Sequence, residues 1–447
     1  MVSAFPRVMA VVAASLLSVP TPGWSQQLQL DVTPAYATLK AGKKQTAWVR
    51  VQLTGFSMAP ESKRAPVNVS LVLDKSGSMQ GQKIARARDA AIRAIERLNA
   101  EDIVSVITYD STVDVLVPAT KLTDKESVTR LISHVEAGGS TALFAGVSKG
   151  AAEVRKFIDT DRVHRIILLS DGIANVGPSS AGELGDLGAT LKRESISVST
   201  FGLGLGYNED LMVKLASRSG GNHFFVEEAT ELADIFIREF DDVMSVVAQD
   251  VHVEIMIPDG IRPVRVLGND AEINGQQVLL NLSNIYSEQG KHVVMEVEIP
   301  ATEATMKREL AAVTVSYKNM QSHAVDRLTA AVSVAFSASD SEVEESLNKS
   351  VLEDVVALLA NEQNKLATDF LDKGDLVRCR QTLISNGKFL REHAEALDSE
   401  RLRTYLSSNN LQAAQVGRNE TNRARKSMRE FQLQLDIQQK ADPPAGR

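Results

Sequence analysis

The run Leu71-Val72-Leu73-Asp74-Lys75-Ser76-Gly77-Ser78-Met79 decides how this chain is read. An apolar strand stops abruptly at an acid, and two hydroxyls follow in the spacing D-x-S-x-S. Asp74, Ser76 and Ser78 are small, hard oxygen donors on a tight turn. Such a set suits a hard divalent cation, above all Mg2+, which takes six oxygens at about 2.0–2.1 Å. No His or Cys lies nearby, which argues against a zinc-type site.

Outward from this run, strands and helices alternate. The pattern predicts a buried strand at Val67–Leu73 and an amphipathic helix at Lys83–Leu98, with Ile84, Ala87, Ala91, Ile95 and Leu98 on one face. Strands follow at Ile103–Thr108 and Val113–Val117. A helix at Asp124–Val135 is expected to be capped by Thr123. Next come a helix at Thr141–Phe157 and an apolar strand at Arg165–Ser170 that ends on Asp171. Helices at Gly182–Glu194, Glu209–Arg218 and Thr230–Val247 then alternate with strands at Ile196–Gly202 and His223–Val226. The expected fold class is α/β, a doubly wound, mostly parallel sheet covered on both faces.

Open sheets of this kind bind ligands beyond the carboxyl ends of their strands. Asp74 and Asp171 both sit there, and the loop Gly138-Gly139-Ser140-Thr141 lies between them in sequence. Three loops can thus offer one ion two carboxylates and three hydroxyls, enough charge and oxygen for a divalent metal. Two alternatives use the same residues: a capped turn without ligand, and a site that no longer binds metal. Asp110 also follows a strand but fits a turn role better.

These residues carry a family resemblance. The Asp74-Lys75-Ser76-Gly77-Ser78 run, Thr141 after Gly-Gly-Ser, and Asp171 in Leu-Leu-Ser-Asp-Gly resemble the metal-ion-dependent adhesion site of von Willebrand factor type A domains. The likeness covers 67–247 and extends to exported bacterial type A proteins and inter-alpha-trypsin inhibitor heavy chains. It implies that Ser76 and Ser78 ligate the metal through their hydroxyls. Thr141 would ligate directly or withdraw, and Asp74 and Asp171 would act directly or through water. A protein partner's Asp or Glu carboxylate would complete the shell of a bound Mg2+, with Mn2+ or Ca2+ as alternative ions. In adhesive domains of this type the last helix moves with metal coordination, so partner binding could shift the angle between this unit and its neighbour.

The flanks have other textures. Alternation at Leu28, Leu30, Val32 and at Val49, Val51, Leu53 predicts strands over 28–66, a segment too short to fold alone. Residues 250–337 alternate in the same way, which predicts an antiparallel β-sandwich. The α/β unit at 67–247 then reads as an insertion in that sandwich. Residues 340–440 are helix-forming, with a hairpin broken at Gly374-Asp375. The basic residues of 418–440 fit a solvated helix face, with a docking surface as the lesser reading. Residues 441–447 are expected to be a disordered tail.

Composition bounds the function. A net charge of −8 disfavours nucleic acid or an anionic membrane as a bulk partner. The one cysteine, Cys379, excludes an intramolecular disulfide and, on a helical spacing with Leu376, Leu383 and Leu390, reads as a core thiol. Arg7, the apolar stretch Val8–Val19 and Gly23-Trp24-Ser25 before Gln26 predict a signal peptide over 1–25, too short in its apolar part to span a membrane of about 20 residues. The expected protein is therefore periplasmic or secreted, bacterial, and without a stable membrane span after signal removal. The leading function is a non-enzymatic, Mg2+-dependent protein-binding module. An accessory subunit of an ATPase or chelatase-type machine is the alternative, which a signal peptide disfavours. A metal-dependent hydrolase comes last, because no base sits in the motif loops.

Overall fold

The computed structural model describes residues 28–58 and 64–438. The expected signal peptide over 1–25 and tail over 441–447 lie outside the described residues. Eleven α-helices are described: α1 (Gln82–Arg97), α2 (Lys125–Ser133), α3 (Leu143–Arg155), α4 (Ala181–Arg193), α5 (Glu209–Ser219), α6 (Leu232–Met244), α7 (Asp340–Glu345), α8 (Lys349–Asp372), α9 (Leu376–Leu397), α10 (Glu400–Gly417) and α11 (Thr421–Ile437).

The α/β unit is built on six strands in the order Val113–Lys121, Ile103–Tyr109, Val67–Asp74, Val163–Ser170, Ile196–Leu203, His223–Val226. All pairs are parallel except the first, where Val113–Lys121 runs antiparallel at the edge. Val67–Asp74, Ile103–Tyr109, Val163–Ser170 and Ile196–Leu203 are buried along their whole length. Strands covered on both faces are mostly apolar, as in Ile166–Leu169, and their buried polar residues find partners: Asn68 donates to the Val154 carbonyl and Arg165 to Ser199. One face packs on α1, α2 and α6 through residues such as Leu71, Ile95, Ile132 and Phe236. The other packs on α3, α4 and α5 through Val72, Val147, Leu184 and Leu215.

Two sheets, antiparallel but for the edge pairing of Thr38–Lys40 with Val325–Ser337, form a sandwich around a second core. One joins Leu28–Pro34, Gln45–Gly55, Gly290–Ile299 and Arg262–Leu267. The other is centred on Val246–Met256, Lys307–Asn319 and Val325–Ser337. Val51, Leu53 and Met295 from the first meet Val253, Val313 and Phe336 from the second in one apolar cluster. Gln45–Gly55, before the α/β unit, pairs with Gly290–Ile299, after it. The chain therefore leaves the sandwich, builds the α/β unit and returns.

Local details differ from the sequence reading. The cap of α2 is Asp124, whose side chain accepts from Ser127 N–H, and not Thr123. The strand after α6 begins at Val246, inside the stretch expected to be helical. The helical region is larger than a hairpin: α8 and α9 form the expected pair around Gly374, and α10 and α11 pack onto it. Buried amides join these helices. Gln432 Nε2 donates to Asn364 Oδ1 at 2.7 Å, and Asn364 Nδ2 donates to Gln412 Oε1 at 2.7 Å. Cys379 lies fully buried beside Leu383, Val416 and Met428, and burial pushes its thiol up to about 11. Leu358 and Val355 of α8 pack on Leu267 and Val294 of the sandwich. Arg50, on Gln45–Gly55, donates to Asp354 of α8 at 2.8 Å.

The basic face of α11 is not solvated. Arg425 pairs with Glu209, Asp210 and Asp372; Lys426 pairs with Glu209; Arg429 pairs with Asp210 and Asp372; Arg423 pairs with Glu227. Lys426 Nζ also donates to the Tyr207 carbonyl at 2.6 Å and stands 3.9 Å over the Tyr207 ring. The last helix is thus docked on α5 and the edge strand of the α/β unit.

Candidate metal centre

The strand order reverses between Val67–Asp74 and Val163–Ser170, so Asp74 and Asp171 emerge side by side at the switch point. The turn after Asp74 is stitched to the Gly138-Gly139 loop. Gly138 N–H donates to the Lys75 carbonyl at 2.7 Å, and Gly77 N–H to the Gly139 carbonyl at 3.0 Å. Gly139 has φ +80°, and a Cβ there would meet Ser111 Oγ at 3.0 Å and Asp110 Cβ at 3.1 Å, so the crossing requires glycine. Thr141 is held by Asn175: Thr141 N–H donates to Asn175 Oδ1 at 2.8 Å, and Asn175 N–H returns to the Thr141 carbonyl at 3.1 Å.

The five residues singled out in the sequence come together. Ser76 and Ser78 hydroxyls lie 3.1 Å apart, and Ser78 Oγ donates to Asp171 Oδ1 at 2.6 Å. A Cβ on Gly172 would stand 2.9 Å from Thr141 Oγ1 and 3.4 Å from Ser78 Oγ. Those two hydroxyls therefore border one point, and Gly172 leaves it open. Asp74, Ser76, Thr141 and Asp171 are buried, whereas Ser78 is exposed and gives the cluster its outward side.

Asp74 lies behind the hydroxyls. Its Oδ1 accepts from Ser76 N–H at 2.8 Å, and its Oδ2 accepts from Ser170 Oγ at 2.5 Å and from Tyr109 OH at 3.4 Å. Burial raises its pKa, and the hydrogen bonds from Ser170 and Ser76 oppose that rise. Asp171 is as deeply buried, and the oxygen not bound to Ser78 pairs with the ammonium of Lys83. Lys75 turns away, to Asp110 at 3.0 Å and Asp114 at 3.3 Å. Asp110 also accepts from Thr112 N–H at 2.8 Å, so it serves its own turn.

Sequence reasoning missed Ser170, Tyr109, Asn175 and Lys83. Ser170 and Tyr109 sit at strand ends like Asp74 itself, a position that could have marked them. Asn175 gave no signal, because its loop has no periodicity. Lys83 offered one: it opens a helix whose first turn holds no acid, where a cation is the unfavoured sign.

The residues fit a hard divalent cation. Every donor is an oxygen, two are carboxylates that match a divalent charge, and the rest are neutral hydroxyls. Among the described residues no group of three or more His, Cys, Asp and Glu is placed to hold a metal, so a zinc-like alternative has no support there. The Lys83 ammonium against Asp171 shows that positive charge is already accommodated at this point.

Residues 68–238 match the family model described as the von Willebrand factor type A domain. This chain carries a von Willebrand factor type A domain. Relatives match the same region and beyond. An uncharacterized protein of Synechocystis sp. is 28% identical over 266 residues, 53% of this chain and 62% of the relative. Inter-alpha-trypsin inhibitor heavy chain H3 of Homo sapiens is 28% identical over 178 residues, 38% of this chain and 20% of the relative. The chain thus spans less than two thirds of either. The solved von Willebrand factor type A structure from Catenulispora acidiphila superposes with a TM-score of 0.66 at 16% identity, over 85% of this chain and 90% of that one. That likeness is one of fold, and it includes regions outside the type A domain.

Proposed function

We propose that this protein is an exported, non-enzymatic protein-interaction module that binds a divalent cation, Mg2+ first among them, through Asp74, Ser76, Ser78, Thr141 and Asp171. A partner's Asp or Glu carboxylate completes the coordination. The observation that carries this reading is the chain of contacts from Ser76 to Ser78 to Asp171, bordered by the Thr141 hydroxyl. When bound, the ion supplies a positive centre that joins two groups which would otherwise repel. Ser76, Ser78 and Thr141 offer neutral oxygens, and Asp171 supplies charge. Asp74 fixes the Ser76 backbone from behind and adds a buried negative charge. Few carboxylates on the ion leave it able to accept another.

The surroundings suit a protein partner. Ile173, next to Asp171-Gly172, is 60% exposed, and Leu205, in the loop beside it, is 43% exposed. Gly206 approaches the Asp171 carbonyl, so that loop adjoins the site. Exposed apolar side chains beside a charged centre are what an interface core uses. Export rests on the n-region, apolar stretch and small residues of 1–25. Among the described residues no helix is long and apolar enough to cross a membrane.

The test is capture from native extract of the source cells, with cross-linking, with and without EDTA. The Ser76→Ala/Ser78→Ala variant, folded by circular dichroism, should lose the EDTA-sensitive partners. A capture profile unchanged by both EDTA and the variant would sink the proposal.

A further inference from the structure

Lys83 is the second residue of α1, directly after the metal loop. Cations are favoured at the C-terminal ends of helices and opposed at their N-termini. Helix stability therefore gives no reason for a lysine here, and α1 has no acid in its first turn to offset it. Its partner is Asp171, whose carboxylate has no exposed surface, while the Lys83 side chain remains 36% exposed. The carboxylate is thus shared: one oxygen accepts from Ser78 and the other from Lys83. Lys75, the other lysine of this loop, is committed to Asp110 and Asp114. Among the described residues, Lys83 is the cation found in an ion pair with either site carboxylate.

We infer that Lys83 sets the charge of this site: its ammonium offsets Asp171, weakens the hold on a divalent cation and leaves the bound ion electrophilic toward a partner's carboxylate. The inference rests on the metal reading above and deepens it. Two uncompensated carboxylates would neutralise a divalent ion, and a third, from a partner, would then meet no net positive charge. With Lys83 in place the assembly of two carboxylates, ion and ammonium stays positive by one charge. The ion and the ammonium press on the same carboxylate and repel each other. Removing the ammonium therefore tightens metal binding. A charge pair of this kind, a few ångströms apart, changes an equilibrium by about tenfold even at the dielectric of water. A residue needed only for folding would act in the opposite direction, since its loss disorders the site and weakens binding.

The experiment uses the full chain with Lys83→Met, Lys83→Gln and Lys83→Arg, and Mn2+ as the probe. Free Mn2+ is counted by electron paramagnetic resonance, and folding is checked by circular dichroism. Lys83→Met and Lys83→Gln should each bind Mn2+ about tenfold tighter than the unaltered protein, and Lys83→Arg should match it. Equal or weaker binding by the folded neutral variants, with measurable binding by the unaltered protein, overturns the role of Lys83 and leaves the metal reading standing. Absence of Mn2+ binding in every folded protein overturns the metal reading and this inference with it.

Discussion

Asp74 and Asp171 stand out in the sequence because each ends an apolar run, and Ser76, Ser78 and Thr141 because they sit in the loops expected beside them. What the sequence could not convey was how each is held. Asp74 spends its oxygens on Ser76, Ser170 and Tyr109, and Thr141 leans on Asn175, which lies 34 positions away. Such contacts depend on the loops meeting, and no local spacing encodes them. Gly172 shows how tight the meeting is. A methyl there would come within 2.9 Å of Thr141 Oγ1. Gly172→Ala should displace that hydroxyl and weaken Mg2+ affinity about tenfold or more, as site geometry tolerates little shift. The rise of the melting temperature with Mg2+ concentration measures this, and an unchanged rise would contradict it.

Strands such as Val163–Ser170 were plain as elements because two-sided burial favours an apolar run, here Ile166–Leu169. Helix ends were less so, since capping is decided by one side chain; Asp124, rather than Thr123, reaches the Ser127 amide. The basic residues of α11 misled more seriously. A charge run without visible partners reads as solvated, yet the partner of Arg425, Glu209, lies 216 positions earlier. On the same helix Glu430, half-buried, accepts from Phe225 N–H at 3.0 Å. Tyr207, on the loop before α5, is a titratable group that feels the Glu430 charge. Burial raises the Glu430 carboxyl to about 7. The folded state thus holds a proton that the unfolded chain releases near 4.5, so this contribution is full below about pH 4.5 and is lost as pH rises to about 7. His223, held near 3 by burial, acts oppositely, losing stability as pH falls below its ordinary value of 6.5. Glu430→Gln should therefore make the melting temperature rise more steeply from pH 4.5 to 6.5, because the His223 effect is no longer offset. Parallel pH profiles for the two proteins would refute the assignment.

At the level of the molecule, the return of the chain to the sandwich followed from size: a short β segment must borrow strands, and Gln45–Gly55 borrows Gly290–Ile299. The bracing of the type A domain did not follow, because it is made by single buried polar residues. Arg165 and Glu239 are both fully buried at 3.5 Å, and Arg165 Nη2 donates to Tyr286 OH of the sandwich at 2.7 Å. This network ties α6 to the β-sandwich, while α11 grips α5 from the other side. Glu239→Ala leaves Arg165 buried without its carboxylate and should cost about 3–5 kcal/mol, read as a lowered melting temperature. A loss below 1 kcal/mol would deny the brace. Two such braces also oppose rotation of the domain against the sandwich. Small-angle scattering with and without Mg2+ should give the same radius of gyration; a change would restore the movement expected from the sequence.

All of this turns on whether a cation binds where the three loops meet. Titration calorimetry of the full chain with Mg2+ measures that directly. One ion per chain should bind at up to millimolar concentration, and Ser76→Ala/Ser78→Ala should abolish the heat while the fold persists. No heat from a folded sample at millimolar Mg2+, or the same heat from the double variant, would contradict the site.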